Sequence, residues 1–335
     1  MLDKPGIEDE KIAACLRASY GLTVTELTFL PLGYDSAAGV YRVRAGQQDY
    51  FLKVRSEPAS RLSVLLPHYL HAQGMAHLIA PILTGAGAPW GTVDRFTLIL
   101  YPFINGANAW NTGLADMQWI ALGEALKALH ATQLPPDLRA DMPRESFIPH
   151  PKWMAIIKSL HATIGNRVYD NAFERQLAVF WQDHADEIGT IIEQTERLSH
   201  RLQQSAPDRV LCHADIHTAN VLIDAQGQLF IVDWDEAILA PKERDLMFVT
   251  VGGFVTEERI ESLFFQGYGK TQIDPLVMAY YRFERSMEDL AAFAERVFAA
   301  DASDAVKQDS VEWFKRQFAP GGLIEAAYNL EHLLT

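Results

Sequence analysis

Two different hydrophobic patterns divide this sequence. In its first hundred residues, short runs alternate between apolar and polar positions and predict strands at 23–31, 40–45, 50–54, 79–84 and 95–100. Helices are predicted at 8–20, before these strands, and at 60–73, between them. Further along, apolar residues recur at helical spacing and predict helices at 116–131, 152–164, 173–202, 257–268, 274–300, 303–319 and 322–333. The pattern indicates an α+β fold whose strands are concentrated near the N-terminus.

Charge and cysteine content exclude several classes of partner. The 335 residues include 43 acidic and 29 basic side chains, a formal net charge of −14. Nucleic-acid phosphates repel so acidic a chain, whereas a cationic ligand is compatible with it. No apolar run has membrane-spanning length, and the N-terminus carries no apolar signal segment. Cys15 and Cys212 lack CxxC spacing and are expected to be buried free thiols. We therefore expect a cytoplasmic monomer or weak dimer with no nucleic-acid or membrane partner.

One stretch, residues 208–248, carries the candidate chemistry. His213-Ala-Asp215 is followed after five residues by Asn220 and after eighteen by Asp233, a spacing typical of kinases. Strands are predicted at 209–212, 220–223 and 229–232, with a hairpin turn at 224–227. This arrangement would bring Asp215, Asn220 and Asp233 to one edge. There Asp215 would accept or orient a hydroxyl proton, and Asn220 and Asp233 would offer oxygen ligands to Mg²⁺. His213 is expected to pack beneath the loop. The alternative is that these carboxylates only cap turns.

The motif resembles the aminoglycoside phosphotransferase and choline kinase-like superfamily, small-molecule relatives of the protein kinases. Asp233-Trp-Asp235 runs almost directly into residues 241–246, which leaves no room for a protein kinase's activation segment. The resemblance implies a two-lobed protein-kinase-like fold, with a nucleotide-binding lobe at 1–100, a hinge at 101–106 and a helical lobe at 107–335 that holds the catalytic loop and substrate site. Asp245 matches the superfamily's structural aspartate, and helix N-capping is its local interpretation.

Stretches outside the catalytic motif point to a narrower group. They resemble the spectinomycin phosphotransferases at residues 101–104, 151–153, 211–217, 233–236, 239–248, 267–269, 280–285 and 288–289.

The resemblance also implies a nucleotide site in the first part of the chain. Lys53 would pair with nucleotide phosphates, although a surface lysine on an alternating strand is the alternative. The loop at 32–39 lacks GxGxxG, yet Gly33, Ser36 and nearby backbone N–H groups could donate to phosphate oxygens. At the hinge, Pro102 can only accept through its carbonyl, so Ile104 is the simplest donor to adenine. The helix at 60–73 offers no acidic partner for Lys53. Glu57 and Asp233 are the candidates.

Acceptor binding is assigned to side chains further along the chain. The helix around 278–295 places acidic and basic groups at helical spacings, either as a solvated face with intrahelical pairs or as a site for substrate ammonium groups. Protein kinases have a lysine two residues after the catalytic aspartate, and here that residue is His217. The substrate candidates are His217, Asp235, Glu284, Glu288 and Asp289.

Together these features predict a small-molecule kinase. ATP would be the donor, with GTP left open, and Mg²⁺ the metal. The acceptor would be a hydroxyl of a small cationic molecule, foremost an aminoglycoside or aminocyclitol antibiotic such as spectinomycin. A metabolic kinase for choline, an amino alcohol or an amino sugar is the alternative. A catalytically silent nucleotide-binding protein is the alternative from a different class.

Overall fold

A computed structural model describes residues 4–31, 38–56, 60–250, 255 and 257–331. In chain order, the helices are α1 Asp9–Tyr20, α2 Leu62–Ala72, α3 Ala109–Thr112, α4 Asp116–Ala131, α5 Pro136–Asp141, α6 Pro151–Thr163, α7 Ala172–Asp183, α8 Ala185–Gln203, α9 Glu243–Val249, α10 Glu258–Tyr268, α11 Pro275–Phe298, α12 Asp304–Arg316 and α13 Leu323–Glu331. The strands are β1 Val24–Leu30, β2 Ala38–Ala45, β3 Gln48–Arg55, β4 Gly91–Val93, β5 Phe96–Pro102, β6 Gly106–Asn108, β7 Val210–Cys212, β8 Val221–Asp224, β9 Leu229–Ile231 and β10 Ile238–Ala240.

The chain divides into two compact units. Unit 1 comprises Met1–Met142 with Thr218–Ala237, and unit 2 comprises Pro143–His217 with Ile238–Thr335. An antiparallel sheet dominates the N-terminal part, and helices make up most of the remainder. This confirms the predicted fold class.

The main sheet of unit 1 has the strand order β1-β2-β3-β5-β4, with antiparallel pairing throughout. Its core includes Ile12 and Leu16 of α1 together with Leu52 and Val54 of β3, all fully buried. Because successive side chains of a strand point to opposite faces, Lys53 and Arg55 lie on the face away from this core. The burial of the aliphatic residues therefore determines where the two charged ones project.

A second sheet in unit 1, ordered β6-β8-β9, positions two motif residues. The predicted hairpin is confirmed: Gly227 takes φ 80°, and the Asp224 carboxylate accepts hydrogen bonds from the backbone N–H groups of Gln226 and Gln228. The N–H of Val232 donates to the carbonyl of Asn220 at 3.0 Å. Asn220 thus lies at the start of this hairpin and Asp233 just beyond its end.

Unit 2 is built around α11, its 24-residue central helix. This helix packs against α6, α7, α8, α9, α12 and α13. Asp274 caps its N-terminus by accepting from the N–H groups of Leu276 and Val277, and Pro275 occupies the first turn. Since neighbours surround it, α11 buries polar side chains such as Glu284 as well as Tyr280 and Leu290. The short strands β7 and β10 of this unit pair with each other in antiparallel register.

Two element predictions were wrong. Residues 79–84 form no strand beyond a single bridge between Ile82 and Leu100, and the sheet edge is instead the unpredicted β4. The predicted helix at 173–202 ends at Asp183 and restarts at Ala185. No described helix is both long and apolar enough to cross a membrane.

Candidate active site

A compact ion-pair group in unit 1, which we call the β3 cluster, consists of Lys53, Arg55, Asp233 and Asp235. Lys53 Nζ lies 3.2 Å from Asp235 Oδ2 and 3.6 Å from Asp233 Oδ1. Arg55 NH1 donates to the same Asp235 oxygen at 2.7 Å. The partner of Lys53 is therefore a pair of aspartates, with Asp235 the nearer. Glu57, the other candidate partner, lies outside the described residues.

Asp233 and Asn220 supply the oxygen donors of this region. Asp233 adopts φ 64°, a left-handed conformation that aspartate tolerates better than most residues, and its side chain is 49% exposed. Asn220 ends a short 3₁₀ turn at Thr218–Asn220. Carboxylate and amide oxygens are ligands that Mg²⁺ accepts, and neighbouring cations suit nucleotide phosphates. The residues present in unit 1 thus fit a magnesium–nucleotide complex.

Asp235 is held in its charged form. Burial opposes its ionisation, but the positive charges of Lys53 and Arg55 outweigh this, and the pKa of Asp235 is lowered. A candidate substrate residue is therefore already engaged by both cations of β3.

The other residues predicted to bind the nucleotide lie at or just after the end of β5, or outside the described residues. Pro102 is the last residue of β5 and pairs in register with Tyr50 of β3. Ile104 follows in irregular backbone before β6. Gly33 and Ser36 fall outside the described residues.

In unit 2, a buried carboxylate holds the backbone of the catalytic loop. Asp245 Oδ2 accepts from the N–H of His213 at 3.0 Å, and Asp245 Oδ1 accepts from the N–H of Ala214 at 2.6 Å. Ala214 has φ 70°, a costly conformation for alanine, and these bonds stabilise it. The N-cap interpretation of Asp245 was wrong, since Lys242 occupies the cap position of α9 and Asp245 lies inside that helix. His213 is fully buried beneath the loop, as predicted.

Asp215, the candidate base, has a cationic or polar donor at each oxygen. Arg285 NH1 donates to Oδ1 at 3.1 Å, and His217 Nε2 lies 3.3 Å from Oδ2. Burial opposes ionisation, but the hydrogen bond from His217 and the charges of Arg285, His217 and His213 lower the pKa of Asp215 below its usual range. Asp215 is therefore a carboxylate with a fixed orientation.

Most of the charged groups near Asp215 belong to what we call the α11 cluster. It combines five carboxylates with two guanidinium groups: Glu145, Asp215, Glu284, Glu288, Asp289, Arg244 and Arg285. These groups are buried or half-buried, so they do not form the solvated face that was the alternative for this helix. One intrahelical pair is present, with Arg285 Nε 3.0 Å from Asp289 Oδ1.

Glu284 is occupied by partners inside the protein. Its carboxylate accepts from Arg244 NH1 at 2.8 Å and from the Tyr280 hydroxyl at 2.6 Å. Only 5% of the residue is exposed. Burial, together with the neighbouring charges of Glu288 and Glu145, raises the pKa of Glu284 against the opposing charge of Arg244. Glu284 therefore binds Arg244 and Tyr280 inside the cluster rather than facing a ligand.

Glu288, one helical turn further on, is different. Among the described residues it makes no hydrogen bond or ion pair, although it is only half exposed to solvent. Burial raises the pKa of Glu288 against the charges of Arg244 and Arg285. A half-buried carboxylate without a donor is an energetically poor arrangement unless a ligand supplies one. Of the predicted substrate carboxylates, Glu288 is the one with neither a hydrogen bond nor an ion pair to the described residues.

Sequence reasoning missed three charged residues at these clusters. Arg55 could have been found, since it shares a strand face with Lys53 at a spacing of two residues. Glu145 and Arg244 come from separate segments, and they reach α11 only through tertiary packing: Tyr281 donates to Glu145 at 3.0 Å, and Arg244 to Glu284. No local pattern indicates either contact.

Several solved structures resemble this fold. A crystal structure of spectinomycin phosphotransferase APH(9)-Ia, in complex with ADP and spectinomycin, is 30% identical to the chain, with a TM-score of 0.87 over 98% of this chain and 99% of that one. A microcompartment-associated aminopropanol kinase (16% identity, TM-score 0.61, 94% and 99% covered) and choline kinase LicA from Streptococcus pneumoniae (14%, 0.59, 96% and 99%) share the fold. No curated protein matches the sequence.

The profile of the phosphotransferase enzyme family matches residues 26–290, which include both charge clusters and the whole catalytic motif. The resemblance inferred from that motif is thereby confirmed. With this match and a crystallographic relative that it covers almost completely, the chain belongs to the phosphotransferase enzyme family.

Proposed function

We propose that the protein is a magnesium- and ATP-dependent O-phosphotransferase whose acceptor is a small cationic alcohol, foremost an aminocyclitol such as spectinomycin. The observation that carries this proposal is Asp215, a carboxylate in the kinase motif with a donor at each oxygen and an acidic cluster around it. The likeness to spectinomycin phosphotransferase over 98% of the chain supports the choice of acceptor.

At the nucleotide end, unit 1 supplies the binding groups. Asn220 and Asp233 would hold Mg²⁺, which supplies charge neutralisation along the phosphates when bound. Lys53 would bind phosphate oxygens, assisted by Gly33 and Ser36. The carbonyl of Pro102 would accept from the adenine amine, and the N–H of Ile104 would donate to the ring.

The chemical step assigned to Asp215 is short. Its carboxylate orients the acceptor hydroxyl and takes the proton as the oxygen bonds to the γ-phosphorus. The bond from that phosphorus to the β–γ bridging oxygen breaks, and ADP leaves. Because the pKa of Asp215 is lowered, it is a weak base, and most of the rate enhancement would come from positioning and charge stabilisation.

At the acceptor end, Glu288 would receive an ammonium group. The α11 cluster has an excess of negative charge, and the raised pKa values of Glu284, Glu288 and Asp289, due first to burial, show that this charge is costly to hold there. A bound ammonium group would relieve that cost and fill the open acceptor sites of Glu288. His217 and Asp289, next to Asp215 and Arg285, would flank the acceptor hydroxyl.

The same cluster is compatible with an amino alcohol, so a metabolic kinase is the second candidate. The likeness to aminopropanol and choline kinases, at 16% and 14% identity, extends only to the fold. A silent nucleotide-binding protein is disfavoured, because Lys53, Asp215, Asn220 and Asp233 are all present.

A coupled assay of ADP release with Mg²⁺-ATP tests the proposal across spectinomycin, several aminoglycosides, choline and small amino alcohols. We expect turnover above the acceptor-free rate with spectinomycin. Turnover with choline or an amino alcohol alone would keep the reaction class and replace the acceptor. ADP release that no acceptor stimulates would contradict the proposed function.

A further inference from the structure

Arg55 is a second cation on the nucleotide face of β3. Its guanidinium lies two residues beyond Lys53 on the same side of the strand, opposite the buried Leu52 and Val54. The side chains of Lys53 and Arg55 are 18% and 15% exposed, so both charges are largely removed from water. Placing two cations here carries a desolvation cost that one surface lysine would not.

Both cations use the same counter-ion. Arg55 NH1 and Lys53 Nζ lie 2.7 Å and 3.2 Å from one oxygen, Oδ2 of Asp235. Asp233 is further from Lys53, at 3.6 Å, and is the more exposed aspartate. If Asp233 serves a metal ion, Asp235 is the carboxylate of the cluster that contacts both cations. An anionic ligand that approaches these cations competes with Asp235 for them.

We propose that Arg55 is a phosphate-binding residue that acts together with Lys53, and that Asp235 is the counter-ion holding both cations until a nucleotide polyphosphate replaces it. This inference rests on the nucleotide site of the proposed function and gives Asp235 a role other than acceptor binding. Guanidinium is always charged and presents donors in a fork that matches two phosphate oxygens, whereas lysine offers a single point charge. The pair can therefore contact more phosphate oxygens than Lys53 alone.

Competition with Asp235 has a measurable consequence. Asp235 Oδ2 lies 2.7 Å from Arg55 NH1 and 3.2 Å from Lys53 Nζ, so phosphate must displace a carboxylate that contacts both cations. Replacing that carboxylate by an amide leaves both cations available. Metal-free nucleotide should then bind more tightly, even though Asp235→Asn introduces no new positive charge.

Isothermal titration calorimetry in EDTA, with ATP, ADP, AMP and adenosine, tests the proposal without any acceptor. We expect Arg55→Ala to weaken ATP binding about tenfold, the size of one charge-assisted hydrogen bond, with a smaller loss for ADP and none for adenosine. Arg55→Lys should retain most of the ATP affinity. Asp235→Asn should raise ATP affinity a few-fold. The matched control is Arg44→Ala. Arg44 lies in the same sheet, but its partner is Asp49, which precedes Lys53 by four residues on β3 and is not part of the β3 cluster.

Three results would overturn the inference. The first is unchanged ATP affinity in Arg55→Ala. The second is a loss of adenosine affinity in that variant as large as its loss of ATP affinity, which would indicate a structural role for Arg55. Thermal melts and the milder variant Arg55→Gln control for a folding defect. The third is unchanged affinity in Asp235→Asn, which would refute the counter-ion assignment. If the wild-type protein binds no nucleotide at all, the nucleotide site of the proposed function fails together with Arg55. Normal wild-type binding with an unaffected Arg55→Ala variant refutes Arg55 alone.

Discussion

The β3 cluster and the α11 cluster place charge inside the protein in opposite ways. In the β3 cluster two cations face two aspartates, and the positive groups come from one strand whose other face is apolar core. In the α11 cluster five carboxylates share two guanidinium groups, and they come from the central helix and from segments packed against it. One cluster is balanced, and the other has an excess of negative charge.

This difference corresponds to the two ligands of a small-molecule kinase. A balanced cluster with a partly exposed aspartate can exchange its internal ion pairs for those with a metal ion and phosphates. An acidic cluster with raised carboxyl pKa values gains when a cation enters it. The polyanion is therefore expected where cations can exchange an internal partner for it, and the cation where negative charge is in excess.

The largest effect is expected at Asp215. Asp215→Asn keeps the size and the donors around the side chain but removes the base, so turnover should fall by about a thousandfold while nucleotide affinity stays unchanged. Single-turnover kinetics and ADP titration measure the two quantities. Turnover within a few-fold of wild type would show that Asp215 is not the base.

Asp233→Ala should change nucleotide binding at the β3 cluster and leave the α11 cluster unaffected. Removing a metal ligand is expected to weaken magnesium-dependent nucleotide binding by about a hundredfold. In EDTA no loss is expected, because the variant then removes only a carboxylate that lies 3.6 Å from Lys53 Nζ and competes with phosphate for it. Titrations with and without Mg²⁺ separate these effects. Equal loss in both conditions would move Asp233 from metal binding to a structural role.

Glu288→Gln should weaken acceptor binding and leave the fold intact. The KM for the acceptor should rise about tenfold, since a charged hydrogen bond is lost, and kcat should change less. The folded-state pKa of Glu288 is raised, so its unfavourable contribution grows as pH rises above the unfolded value. The melting temperature of the variant relative to wild type should accordingly be higher at pH 8 than at pH 5.

Glu284→Gln is the matched control for Glu288, one turn away on α11. It leaves the Arg244 guanidinium buried without its charged partner, which should cost roughly 3 kcal/mol of stability. If Glu284→Gln raises the KM and keeps its stability while Glu288→Gln unfolds, the two roles have been assigned in the wrong order.

The smallest effect is expected in the pH profile. The lowered pKa of Asp215 keeps it ionised through mildly acidic conditions, so it should produce no acid limb in kcat/KM above about pH 5. Arg285→Gln removes an opposite charge 3.1 Å away and should raise the pKa of Asp215, whereas Arg285→Lys should largely restore it; a ¹³C NMR titration of the Asp215 carboxyl carbon measures this profile. An identical profile in Arg285→Gln would show that Arg285 does not set this ionisation.

The two clusters also differ in how far sequence could predict them. Asn220 and Asp233 flank a single hairpin, so their spacing and the Asp224–Gly227 turn were enough to indicate their placement. Asp245 was assigned a local capping role because nothing in its neighbourhood shows that its carboxylate reaches the backbone of His213 and Ala214. Long-range contacts of this kind depend on packing rather than on local preference.

The same reasoning explains the errors in the elements. Residues 79–84 alternate like a strand but find only one bridging partner, at Leu100, because β4 occupies the edge of the sheet. Helix α11 was predicted with nearly correct ends, since Asp274 caps it and Pro275 starts it. The sequence did not show which acids of α11 would be open to a ligand. In the structure, Arg244 and Tyr280 both donate to Glu284, and neither donates to Glu288.

Direct detection of the product tests the central claim, which is that the protein transfers a phosphoryl group to a cationic alcohol with Asp215 as the base. Wild-type and Asp215→Asn protein would be incubated with Mg²⁺-ATP and spectinomycin, and the acceptor analysed by ³¹P NMR. A phosphomonoester resonance on spectinomycin that grows with wild type and is absent with the variant is the predicted result. Equal product from both proteins, or release of inorganic phosphate with no phosphomonoester on any amine-bearing acceptor of the assay panel, would contradict the account.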